Sequence, residues 1–184
     1  MKDETHNKGK VFQASRITHH ASRVTPHASR FTPHASRFTP HVSSFQLVVI
    51  GVSAGGMKAL PAVLASLPSD FPVPVAVVQH LSPDGHNSYF INYLNQRLSV
   101  VVKEADEKEA VELGHVYIAP PNYHLLIEND RTFALSVDKK VNYSRPSIDV
   151  LFETASEVYG SSLIGVVLTG ARSDGAKGLK KIKL

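Results

Sequence analysis

Ser53, His80 and Asp174 are the hydroxyl, imidazole and carboxylate that a serine hydrolase needs. A serine hydroxyl is a weak nucleophile until a base takes its proton, and a carboxylate beside that base fixes which ring nitrogen is left free. Each of the three follows an apolar run that reads as a buried strand: Ser53 after 47–52, His80 after 73–79, and Asp174 in the loop after 163–169. Parallel sheets form their sites outside the carboxyl ends of strands, so the sequence predicts that the three converge at one edge. Ser53 also stands in Gly51-Val52-Ser53-Ala54-Gly55, a G-x-S-x-G pattern. There the glycines permit a sharp strand-to-helix turn, and helix amides face a developing oxyanion. The chain order Ser, His, Asp differs from the Ser, acid, His of the α/β-hydrolase elbow and points to another hydrolase fold.

Each residue also has a purely structural reading. Ser53 could cap the first helix, His80 could be a satisfied histidine at a strand end, and Asp174 could be a turn residue or an N-cap before Gly175. Their common placement at one sheet edge favours chemistry. His115 and His124 are read as structural residues at hairpin positions, and the body of the chain holds no H-x-x-x-H pair of the kind a metal site uses. With no cysteine, thiolate chemistry and disulfides are excluded. A dinucleotide site is disfavoured twice: the first turn is not G-x-G-x-x-G, and the second strand ends in Gln79-His80 rather than an acid that would hold a ribose. No G-x-x-x-x-G-K-[ST] motif occurs. No cofactor is expected.

The elements that must position these groups alternate short apolar runs with helical patterns, which predicts an α/β fold: a doubly wound, mostly parallel sheet with helices on both faces. Strands are expected at 47–52, 73–78, 98–102, 116–119, 125–128, 132–137 and 163–168, the fifth and sixth joined as a hairpin at Asn129-Asp130. Helices are expected through Ala59 to Leu67, with Pro61 tolerable only in the first turn; through Tyr89 to Leu94, after a polar stretch at 82–87; and through Ile148 to Tyr159, N-capped by Ser147 and closed by Gly160. The sequence ends a few residues into the helix after the Asp174 loop, which suggests a missing C-terminal unit.

Residues 46–184 are read as the catalytic domain and 1–45 as a disordered, low-complexity tail. From Ala14 the tail repeats Ala-Ser-Arg-x-Thr-x-His every seven residues. The spacing imitates a coiled-coil seam, but Pro26, Pro33 and Pro40 preclude a continuous helix. Metal binding by His19, His20, His27, His34 and His41, or phosphate contact by Arg16, Arg23, Arg30 and Arg37, ranks below a solvated tail. The tail holds seven of the 20 Lys and Arg and two of the 16 Asp and Glu, so the body is nearly neutral and the net charge of +4 gives no reason to expect a nucleic-acid partner. No apolar run approaches a membrane span, and no signal core follows Met1, so a cytoplasmic protein is expected.

Five blocks resemble the catalytic domain of the CheB family of chemotaxis protein-glutamate methylesterases. They are VIGVSAGGM at 49–57, VVQH at 77–80, GHVYIAPPNYHL at 114–125, RPSIDVLF at 145–152 and GVVLTGARSDGAKG at 165–178. The resemblance implies hydrolysis of γ-glutamyl methyl esters on the cytoplasmic helices of methyl-accepting chemotaxis receptors, with glutamine deamidation as a second activity and no cofactor. On the family pattern Ser53 is the nucleophile, His80 the base and Asp174 the orienting carboxylate. The backbone amides of Ala54 and Ala171 correspond to the oxyanion donors. Family members of the response-regulator type carry an N-terminal receiver domain where this chain has its repeats, and the family domain continues past the aspartate loop. The alternatives are an inactive remnant that folds poorly or only binds receptor, and a serine esterase of small molecules.

Overall fold

The computed structural model describes residues 44–80, 87–170 and 173–183. The repeats with their histidines and arginines, most of the polar stretch at 82–87, and Ala171 lie outside the described residues. In chain order the elements are β1 (Leu47–Val52), α1 (Gly56–Leu64), β2 (Val75–Gln79), α2 (Asn87–Asn95), β3 (Val101–Glu104), β4 (His115–Ile118), β5 (His124–Ile127), β6 (Phe133–Ser136), α3 (Ile148–Tyr159), β7 (Leu163–Thr169) and α4 (Ala176–Lys183).

Among the described residues β3, β4, β2, β1 and β7 form, in that order, a sheet whose every pairing is parallel. Side chains alternate across it, as the two-residue period of a strand requires. Ile50, Val52, Val75, Val77, Val116 and Ile118 pack on one face with Leu60 and Leu64 of α1 and Phe90 and Leu94 of α2. Leu47, Val49, Ala76, Val78 and Tyr117 pack on the other with Ile148, Leu151, Phe152 and Ala155 of α3. The antiparallel hairpin β5–β6 closes that second core with Leu125, Ile127 and Phe133. Full burial of a Leu or Phe contributes about 1.5–3 kcal/mol, so each layer is a substantial core. The chain leaves β1 to pair β2 on one side and returns as β7 on the other, which makes the end of β1 the switch point of the sheet. No helix among the described residues is long and apolar enough to cross a membrane.

Three local expectations are corrected. Helix α1 stops at Leu64 rather than Leu67, and Pro61 lies beyond the first turn. The helix tolerates the lost donor because its stripe of Gly56, Leu60 and Leu64 is buried on the sheet. The third strand runs Val101–Glu104 instead of 98–102, and the Asn95 side chain bonds both the N–H and the C=O of its Val102, which anchors the end of α2 to the strand. His115 opens β4 inside the parallel sheet and is not a hairpin residue; its ring stacks on Tyr117.

Candidate active site

Strand register carries Ser53 and His80 to the same edge. Val52 is paired with Gln79, the His80 N–H donates to the Val52 carbonyl, and the Ser53 N–H donates to Thr169 at the end of β7 through both its carbonyl and its Oγ1. The turn that follows needs Gly55, whose φ of 87° lies in the left-handed region. Gly55 occupies the N-cap position of α1 with no side-chain cap, so Ser53 does not cap that helix. Its Oγ instead faces His80 Nδ1 at 3.3 Å.

On the far side of the ring, His80 Nε2 is 2.8 Å from Asp174 Oδ2. An ionised carboxylate only accepts, so Nε2 carries the hydrogen and Nδ1 is left with a lone pair for the serine O–H. The His80 side chain keeps 16% of its surface exposed and that of Asp174 1%, which puts the base at the surface and the acid behind it.

Asp174 is held by more than the imidazole. Oδ1 accepts from Asn142 Nδ2 (3.0 Å), Ser147 Oγ (2.8 Å) and the Asp149 N–H (3.1 Å), while Oδ2 also accepts from the Ile148 N–H (2.9 Å). Asp174 therefore caps α3 from another part of the chain. Ser147 occupies the expected N-cap position, but its hydroxyl serves the carboxylate and makes no cap bond of its own. Burial opposes ionisation of Asp174, and the hydrogen bonds from His80, Asn142, Ile148 and Ser147 outweigh it, holding the carboxyl well below the usual range.

A second layer fixes these donors. Asn142 also donates to Asp149 Oδ2 at 2.8 Å, and Asp149 Oδ1 accepts the Gly178 N–H at 2.7 Å, which ties α3 to α4. Gly178 permits that approach: a Cβ there would stand 2.4 Å from Phe152 Cβ. His124, buried in the hairpin as expected, accepts the Ser147 N–H at Nδ1 and donates from Nε2 to the Lys139 carbonyl. Sequence reasoning missed Asn142, Asp149 and the hydroxyl of Ser147. Asn142 gives no motif signal, and Asp149 reads as an ordinary acid in a first helical turn. Ala54 is exposed, and its N–H has no partner among the described residues. No three His, Asp or Glu among those residues converge as metal ligands.

Residues 48–184 match the family described as CheB methylesterase. The chain belongs to that family. It is 56% identical over 139 residues to a Leptospira interrogans protein named "Putative protein-glutamate methylesterase/protein-glutamine glutaminase", covering 76% of this chain and 72% of that one. Against the protein-glutamate methylesterase/protein-glutamine glutaminase of Thermotoga maritima the identity is 40% over 75% of this chain, but only 41% of the relative's length is spanned. The crystal structure of the Thermotoga maritima CheB methylesterase catalytic domain superposes with a TM-score of 0.72 at 40% identity, over 76% of this chain and 75% of that one.

Proposed function

We propose that this chain is a protein-glutamate methylesterase that hydrolyses γ-glutamyl methyl esters on the cytoplasmic helices of chemotaxis receptors. The observation that carries the reading is the relay from Ser53 Oγ through His80 to a buried, ionised Asp174. Ser53 Oγ attacks the ester carbonyl while His80 Nδ1 takes its proton, and Asp174 stabilises the imidazolium so formed. The Ala54 N–H at the head of α1 serves the oxyanion, with the Ala171 amide as its partner. Collapse expels methanol, protonated by His80. Water, deprotonated at the same nitrogen, then attacks the glutamyl-serine ester and releases the glutamate carboxylate. A glutamine side chain meets the same machinery with ammonia as leaving group.

The test is methanol release from a methylated receptor cytoplasmic fragment by the chain and by Ser53→Ala, with thermal melts on both. Release that falls by at least ~10³-fold in the variant, with an unchanged melt, is the expected result. A cooperative melt with no release from either protein would mean a folded but inert domain. Turnover of small esters without methanol release from receptor would mean a different substrate class.

A further inference from the structure

A cleft of about 130 Å³ opens beside His80 and is lined by Asn122, Lys140, Tyr143 and Arg145. Most of it comes from one loop. Val141 and Ser144 bond each other's backbone, and the two residues between them, Asn142 and Tyr143, have φ of 50° and 63°. Two successive positive φ angles mark a type I′ turn, whose second position ordinarily takes glycine. A bulky residue there is strained, and such strain concentrates at functional sites. The turn aims Asn142 inward at Asp174 and leaves Tyr143 87% exposed at the cleft. Two cations share the lining. Arg145 spends one nitrogen on the carbonyls of Val137 and Asp138, its Nε is buried without a partner, and neither Arg145 nor Lys140 has an ion pair among the described residues.

Resting on the proposed hydrolase, we infer that this cleft is a specificity subsite for an acidic side chain of the substrate helix. Lys140 and Arg145 hold a carboxylate one helical turn from the reacting ester, and the Tyr143 ring packs against the helix between them. Residues three and four apart share a helix face about 5–6 Å apart, which matches a cation cleft directly beside the base. An uncompensated pair of cations selects for negative charge and against a neutral isostere.

The probes are two helical peptides with one γ-methyl glutamate, one carrying Glu and the other Met, neutral, similar in length and not hydrolysable, at the positions three and four residues to either side. The full chain is expected to favour the Glu peptide in kcat/KM by about tenfold at low salt, a preference that shrinks as salt rises. In Lys140→Gln the ratio of the two peptides falls toward one, and in Lys180→Gln, an equal charge change on the exposed face of α4, it is kept. Tyr143→Gly, which suits the positive φ and so spares the turn, raises KM for both peptides. Equal turnover of the two peptides by the unaltered chain, or a ratio that survives Lys140→Gln, overturns the subsite while leaving the esterase standing. Absence of Ser53-dependent turnover on either peptide and on p-nitrophenyl acetate overturns the esterase and the subsite together.

Discussion

Replacing Asp174 by Asn tests the site more sharply than deleting it, because the amide keeps the shape and changes only where hydrogens can sit. The amide nitrogen must take the place of Oδ1 or of Oδ2. At Oδ1 it would face the Asn142 amide, the Ser147 hydroxyl and the Asp149 N–H; the hydroxyl can turn to accept, the N–H cannot, and the Asn142 amide can accept only by a flip that turns its oxygen on Asp149 Oδ2. At Oδ2 it meets one fixed donor, the Ile148 N–H, and His80 Nε2, which can accept if its proton moves to Nδ1. The second arrangement has fewer conflicts and leaves His80 with a hydrogen aimed at Ser53. An imidazole in that tautomer cannot take the serine proton, and a forced tautomer costs about 10⁴-fold in kcat in a Ser-His-Asp hydrolase. The unsatisfied Ile148 N–H adds about 1–3 kcal/mol of lost stability. The assay is ester hydrolysis across pH 6–9 together with ¹⁵N NMR of the imidazole, assigned against His80→Ala. A variant that keeps the Nε2–H tautomer, or loses less than tenfold in kcat while folded, would refute the reasoning.

Three further outcomes follow from the same contacts. Asp174 is ionised in the folded chain at pH values where the unfolded chain's aspartate, near 3.8, takes a proton; its stabilisation is therefore full above about pH 4 and is lost as pH falls from there toward the depressed folded value, so acid titration should narrow the stability gap between the native chain and Asp174→Asn. Asn142→Asp would set a third carboxylate between Asp149 and Asp174; urea melts should show it less stable than Asn142→Ala at pH 8, with the difference closing toward pH 5 as the new carboxyl protonates. Gly178→Ala should lower stability by about 1–3 kcal/mol, because its methyl meets Phe152 Cβ at 2.4 Å in a packed helix pair and no side-chain rotation relieves it.

Wherever one short-range pattern decided the outcome, the sequence was sufficient. The run Leu47–Val52 reads as a buried strand and is one, and the three strand ends that carry Ser53, His80 and Asp174 meet because a parallel sheet gathers its carboxyl ends. Reading failed where a long-range contact overrode local pattern. Leu98 and Val100 look like strand residues, yet they pack against the core from a turn, while the edge strand on β4 starts only at Val101 and runs on through the polar pair Lys103-Glu104. Ser147 has the type and place of an N-cap, but a carboxylate 27 residues away took that task. Nothing at positions 142 to 149 marks them as partners of Asp174, since their shared contact exists only after α3 has docked on the sheet.

That contact also divides the labour within the relay. Ser53 and His80 are placed by backbone bonds at strand ends, so their side chains are dispensable to the fold. Asp174 is the reverse: its carboxylate closes the start of α3 and gathers donors from the 142 turn and from Ser147, so its plane is set by bonds other than the one to the imidazole. Four donors besides the histidine leave Oδ2 little freedom to rotate away from Nε2. The orientation that a catalytic histidine needs is thus supplied by the same bonds that stabilise the helix, which is why substitutions at Asp174 should cost both folding and turnover while those at Ser53 should cost turnover alone.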